Sequence, residues 1–213
     1  MAAFQDDGSL DESALSHIVS ETELMQAAKR QDADERRHLL LRRSFQRIFV
    51  AEVIGWAGPI HQLKLEHALD QQPRCHDAPD LNLSFSSSGG MLLAAASMRC
   101  AVGIDIERQR EVAHALQIAD RFFTDDETKY LSELSKSEQS NGFLHLWTAK
   151  EAGLKAIGKG IVSGMNTFSL AVSDDLKGYQ FKNVPSVKGS WTLDYLGFCP
   201  GHLVAVVQST CGE

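Results

Sequence analysis

The chain switches between helical and strand periodicity, and it does so twice. Ser20-Glu-Thr-Glu23 has the spacing of a capping box, a hydroxyl N-cap with a carboxylate three residues on, and predicts a helix start. The helical pattern breaks near residues 31–34, resumes over about 34–54 and stops at Gly55. Residues 56–80 hold three of the five prolines and read as loop. Strands are expected over 81–85, 91–97 and 101–107, with residues 86–90 as a turn. Helices return over 111–123, from a second capping box at Thr124-Asp-Asp-Glu127 to about 134, and over 141–157 ahead of Gly158 and Gly160. Three strands follow, at 167–173, 190–198 and 202–209. The first dozen residues carry no periodic signal and read as a disordered lead-in.

The segment 83–96, a strand, a glycine turn and a small-residue apolar strand, is echoed at 196–207, and helices precede the strands each time. The expected fold is therefore α+β, with two pseudo-symmetric halves, each a small, mainly antiparallel sheet packed by helices. The boundary falls near residue 100, giving halves at 1–100 and 101–213.

A length of 213 residues allows a core in each half. No apolar run approaches a membrane span, and the polar, acidic start is not a secretory signal, so a cytoplasmic protein is expected. Cys75, Cys100, Cys199 and Cys211 show no CxxC spacing and no histidine support for a zinc site, and read as free thiols. The net charge of −7 argues against a general nucleic-acid binder.

Positive charge is instead concentrated in Arg36, Arg37, Arg42, Arg43 and Arg47, all within twelve residues. On a helical wheel Arg36, Arg43 and Arg47 share a stripe, while Arg42 falls beside Phe45, Phe49 and Val53. Two readings stand together: Arg42, with Arg43, binds a phosphate, or the face is solvated with one arginine paired to a carboxylate. Ser84, Ser86 and Ser87 beside the glycines are either phosphate donors or parts of a plain turn.

Gly103-Ile-Asp-Ile-Glu107 carries the sharpest chemistry. On a strand, residues two apart share a face, so Asp105 and Glu107 point one way while Ile104 and Ile106 point into a core. Paired carboxylates repel unless water or a cation lies between them, and oxygen ligands suit Mg²⁺. Read alone, the pair is more often a solvated acidic face than a metal site. Downstream, Trp147, Glu151 and Lys155 are spaced by four, with Phe143 extending the stripe. Glu151 would complete a three-carboxylate metal site, and Lys155 would reach a phosphate oxygen. Alone, Glu151 and Lys155 are more readily a surface ion pair, and it is the acidic strand upstream that reverses the balance.

Together these motifs resemble the 4′-phosphopantetheinyl transferases of the surfactin-synthetase-activating type. The matching pieces are Gly-Ile-Asp-Ile-Glu (103–107), Arg-Phe-Phe (121–123), Leu-Trp-Thr-Ala-Lys-Glu-Ala (146–152), Lys155, Gly-Lys-Gly-Ile (158–161) and Phe-Ser-Leu (168–170), with the arginine helix and Leu-Asn-Leu-Ser (81–84) in the first half. The resemblance implies Mg²⁺-dependent transfer of the phosphopantetheine arm of coenzyme A to a serine of an acyl or peptidyl carrier protein, releasing 3′,5′-ADP. Asp105, Glu107 and Glu151 would bind the metal, and Glu151 and Lys155 would be catalytic. Arg42, Arg43, Arg74, Ser84, Phe85, Lys150 and Lys155 would line the coenzyme A site. The chain would act as a monomer, without nucleic acid or membrane. Phe85 stands where the family usually has a phosphate-contacting histidine, and Gln71-Gln-Pro-Arg74 where it commonly has Gly-Lys-Pro. The region before residue 35 looks short for the family's opening strand. A non-catalytic coenzyme A or carrier-binding protein of the same fold is the alternative, and a metal-dependent phosphoesterase a third reading.

Overall fold

In a computed structural model of the chain, the residues described are 1–67, 72–158, 164–171, 180–182 and 190–210. The first half opens with strand β1 (Ala2–Gln5), followed by helices α1 (Glu12–Ser16), α2 (Glu21–Ala28) and α3 (Ala33–Ile54). A 3₁₀ turn (Ile60–Gln62) and a short ribbon of β2 (Leu65–Glu66) and β3 (Arg74–Cys75) lead to the hairpin β4 (Asn82–Ser88) and β5 (Met91–Ser97). The second half repeats the plan. Strand β6 (Val102–Arg108) is followed by α4 (Ala115–Phe122), α5 (Asp125–Glu133) and α6 (Lys136–Ala156). The ribbon β7 (Ser169–Ala171) and β8 (Gln180–Lys182) and the pair β9 (Trp191–Tyr195) and β10 (His202–Ser209) complete it. The two main sheets have matching orders, β1-β5-β4 and β6-β10-β9, all antiparallel. The α+β plan of two pseudo-symmetric halves is therefore the observed one.

Local chemistry fixes the helix ends. The Asp32 side chain accepts from the Glu35 N–H to start α3, and Gly55 at φ 64° ends it in the left-handed conformation that glycine adopts without steric cost. The Ser20/Glu23 and Thr124/Glu127 capping boxes open α2 and α5 as expected. Helix α6 begins five residues before the expected 141, because Ser135 and Glu138 form a third capping box. Helix α4 begins four residues later than expected, because His114 at φ 61° holds a conformation that helix cannot propagate through.

The expected disordered start is corrected. Residues 2–5 form β1, paired with β5 from Ala2↔Ala94 to Gln5↔Met91, so the opening strand that looked absent is present. Arg37 ties down the following loop through two hydrogen bonds to Asp6. The cysteine reading also changes. Cys75 and Cys199 are free and buried, but Cys100 is disulfide-bonded.

Each half has its own core, and a further cluster joins them. In it Ile104 and Ile106 of β6 and Val204 of β10 pack with Leu93 and Ala95 of β5, all nearly inaccessible. Complete burial of each such aliphatic side chain contributes about 1.5–3 kcal/mol. Strands β4 and β6 lie alongside each other at this joint, running the same way. Their link is not a main-chain ladder. The hydroxyls of Ser84, Ser86 and Ser88 accept from the N–H groups of Ile104, Ile106 and Arg108 at 2.9, 3.4 and 3.0 Å.

Candidate functional site

The site lies where β6, α6 and β4 meet. Gly103 allows the close approach that builds it: a Cβ there would sit 1.9 Å from the Ala152 carbonyl oxygen and 2.5 Å from the Ala156 nitrogen. With no side chain in the way, α6 rests directly on β6 and sets Glu151 and Lys155 over the acidic strand. Alternation on β6 turns Ile104 and Ile106 into the shared core and leaves Asp105 and Glu107 on the α6 side, as expected.

Asp105 is 5% exposed. Its Oδ1 accepts from Lys155 Nζ at 2.6 Å and from Ser86 Oγ at 2.6 Å, while its Oδ2 is buried with no partner among the described residues. Lys155 Nζ also donates to the Ile104 carbonyl at 3.2 Å. Glu107 Oε2 accepts from Arg110 at 3.0 Å and from Ser88 Oγ at 3.3 Å. Glu151 is 7% exposed, and its pKa is pushed up from 4.5 to about 7. Burial is the main cause; the charge of Asp105 adds to it, Lys155 opposes it, and Glu107 adds again.

Three carboxylates thus lie near one another with Lys155 and, at Glu107, Arg110 as cations, one positive charge fewer than the carboxylates, and the strain falls on Glu151. As the side chains stand, no three metal-ligating groups converge on one point among the described residues. The donor set is nevertheless all oxygen, one buried oxygen is orphaned, and the local charge is short of positive. Those properties fit a hard divalent cation.

Trp147 does not join this cluster. Its ring stacks on Phe143 at 5.6 Å and meets Phe122 edge-on at 6.2 Å. The Phe143–Trp147 end of the expected stripe belongs to the core, and the Glu151–Lys155 end to the site.

The residues expected on the coenzyme A side separate into distinct places. Arg42 has no hydrogen-bond or ion-pair partner among the described residues and lines two adjoining cavities, one of about 400 Å³ with Arg30, His38 and Ser87, and one of about 90 Å³ with Phe85 and Ser86. Phe85 also meets Phe49 edge-on at 6.1 Å, within the first-half core. Arg74 lines a different cavity, of about 550 Å³, with Asn82 and Gly158. Gln72 bridges the halves there by donating to the Lys155 carbonyl. Residues 159–161 of the glycine motif, and Gln71, lie outside the described residues.

Three expectations need correction. Lys150 is fully buried: its ammonium donates to Met165 O and Phe168 O at 2.6 and 2.7 Å and pairs with Glu127 at 2.9 Å, leaving nothing for a ligand. The Ser84 hydroxyl is 2% exposed and holds the Ile104 N–H. Arg43 lines none of these three cavities and donates instead to Gln46 Oε1 at 3.0 Å, near the Glu23 and Arg47 charges. The arginine placed on the polar stripe, Arg47, is in fact the buried one, 2% exposed and paired with Glu23 at 2.6 Å. Sequence reasoning missed Arg30, whose only trace is the basic pair Lys29-Arg30 in the short turn between α2 and α3.

An α+β protein of two related halves, with an acidic centre where they join, is the class that this fold and site define. The family model for the 4′-phosphopantetheinyl transferase superfamily matches residues 101–207, and the chain belongs to that superfamily. It is 35% identical over 120 residues to the 4′-phosphopantetheinyl transferase psf-1 of Bacillus pumilus, covering 56% of this chain and 50% of the relative. It is 28% identical over 180 residues to the putative 4′-phosphopantetheinyl transferase slr0495 of Synechocystis, covering 83% and 71%. A solved holo-(acyl-carrier-protein) synthase from Bacillus anthracis, in complex with CoA (3′,5′-ADP), matches at TM-score 0.44 and 20% identity, over 54% of this chain and 99% of that one. A likeness at that level says nothing of ligand or reaction. The chain spans about half the length of the B. pumilus relative. None of the described helices is long and apolar enough to cross a membrane.

Proposed function

We propose that this protein transfers the 4′-phosphopantetheine arm of coenzyme A to a serine of an acyl or peptidyl carrier protein and releases 3′,5′-ADP. The observation that carries the reading is the buried carboxyl of Glu151, poised near neutral pH beside Asp105 and Lys155 on the segment that matches the superfamily.

Asp105, Glu107 and Glu151 would hold Mg²⁺. When bound, the ion would neutralise charge on the pyrophosphate of the donor. The rest of the chemistry belongs to the chain. Glu151 would take the proton of the carrier serine hydroxyl, directly or through a water. The serine oxygen then forms its bond to the β-phosphorus as the bond to the 3′,5′-ADP oxygen breaks. Lys155 would leave Asp105 and place its ammonium against the departing phosphate. Arg42, lining both cavities, would receive another phosphate of coenzyme A, with Arg30 also lining the larger one. Arg74 would contact the nucleotide from the opposite side of the joint.

The test is to incubate the protein with coenzyme A, Mg²⁺ and an apo carrier protein and weigh the carrier. A gain of one phosphopantetheine, lost in Asp105→Ala, supports the reading. Binding of coenzyme A without a gain selects the non-catalytic alternative. Phe85 motivates that alternative, because its ring packs on Phe49 and offers no donor to a phosphate. Hydrolysis of coenzyme A without a carrier selects a phosphoesterase.

A further inference from the structure

The three serines of β4 do more than join the sheets. Ser84, Ser86 and Ser88 each accept from a β6 N–H, but only two of them face a carboxylate. Ser86 donates to Asp105 Oδ1 at 2.6 Å, and Ser88 to Glu107 Oε2 at 3.3 Å. A hydroxyl has one proton, so accepting from an N–H on one side fixes the direction in which that proton can be given on the other. The middle rung is the longest, 3.4 Å against 2.9 and 3.0 Å, as expected of an oxygen drawn toward a carboxylate.

The consequence falls on Asp105. Ser86 and Lys155 together occupy Oδ1, and Oδ2 is left buried with no partner among the described residues. A buried carboxylate oxygen without a partner is costly unless something binds it. Lys155 lies on a flexible stem with its side chain 29% exposed, so it can leave. Ser86 is held by the strand.

We infer that Ser86 is a positioning residue: held against β6 by the Ile106 N–H, its hydroxyl grips Asp105 Oδ1 and keeps Oδ2 presented to a divalent cation. The inference rests on the metal reading proposed above. It gives the first half of the chain a share in a site whose carboxylates all come from the second. It also places the grip one residue from Ser87 and Phe85, which line the cavities that hold Arg42.

The experiment is a calorimetric titration of the carrier-free protein with Mn²⁺, alongside urea unfolding. Removing a group that orients a metal ligand typically weakens metal affinity about 10–100-fold. That loss is expected in Ser86→Ala, and in Ser86→Cys, which keeps the shape but donates weakly. Ser86→Thr keeps the hydroxyl and should restore wild-type affinity. Ser84→Ala removes a rung that touches no carboxylate, and should cost stability while leaving Mn²⁺ affinity unchanged. Wild-type affinity in folded Ser86→Ala or Ser86→Cys overturns the inference, and so does an equal loss in Ser84→Ala. Absence of Mn²⁺ binding to the wild-type protein overturns the metal reading together with it.

Discussion

Replacing Glu151 by glutamine should make the metal-free protein more stable at alkaline pH, although it removes a group proposed to be essential. The Glu151 carboxyl titrates near 7 in the folded protein against an ordinary value of 4.5, first because it is buried and then because Asp105 and Glu107 repel its charge more than Lys155 attracts it. Between those two pH values the folded protein holds a proton that the unfolded chain has released. Stability therefore falls as pH rises from 4.5 to 7, and the loss is complete above 7. A displacement of that size is worth about 3 kcal/mol, and for a chain of this length about 2–4 °C in Tm per kcal/mol. An uncharged amide of the same shape escapes the loss. Glu151→Gln should thus melt roughly 6–12 °C above wild type at pH 8 in EDTA, with most of that lead gone at pH 5. Saturating Mg²⁺ should narrow the gap at pH 8, because a bound cation offsets the buried charge. Thermal melts at the two pH values, with and without Mg²⁺, make the check. A lead at pH 8 no larger than at pH 5 would refute the reasoning.

Three further predictions concern the same helix and strand. Lys155→Ala leaves the buried Asp105 carboxylate without its cation and so costs stability, but turnover per folded molecule should fall far more than that loss accounts for; wild-type turnover per folded molecule would mark the lysine as structural. Gly103→Ala should destabilise by about 3 kcal/mol or more, because its Cβ would meet α6 backbone that has no rotamer with which to give way. Wild-type stability on urea unfolding would mean that α6 does not rest on β6 as described. Lys150→Met should cost about 3–5 kcal/mol by stranding Glu127, yet leave the apparent KM for coenzyme A unchanged in the folded fraction; a raised KM would return Lys150 to the ligand site.

What the sequence made legible were features carried by local rules. Two capping boxes, the glycine stop at 55 and the alternation of Asp105 and Glu107 with Ile104 and Ile106 all read correctly, because each depends on residues a few positions apart. Strand β1 was not legible. It is four residues long, has only Phe4 as a large apolar side chain, and owes its existence to pairing with β5 some ninety residues away. The arginine helix failed differently. A wheel orders Arg42, Arg43 and Arg47 by angle alone, but what buries Arg47 is Glu23 on another helix together with the carbonyls of Ile60 and Leu63. Such partners come from tertiary structure, and no period within α3 encodes them.

The internal repeat explains both the Lys150 error and why the carboxylate site occurs once. Arg47 stands eight residues before Gly55, and Lys150 eight before Gly158, each glycine being the left-handed residue after its helix. Each cation is buried, each pairs with the glutamate of a capping box, Glu23 or Glu127, and each also holds carbonyls of the segment that follows its helix. The two pairs are one structural device used twice, so the lysine inside the Lys-Glu motif answers to the fold and its neighbour to the chemistry. One position further on, the repeat diverges. Glu151 in the second half corresponds to Ile48 in the first, which is 43% exposed, and Lys155 corresponds to Glu52. The first half therefore keeps the frame that would present an acid and a base but has neither in place. Its contribution at the joint is of another kind, the serine rungs of β4 and Arg42. The single acidic centre at the joint thus takes its carboxylates from one half and the hydroxyls that touch them from the other.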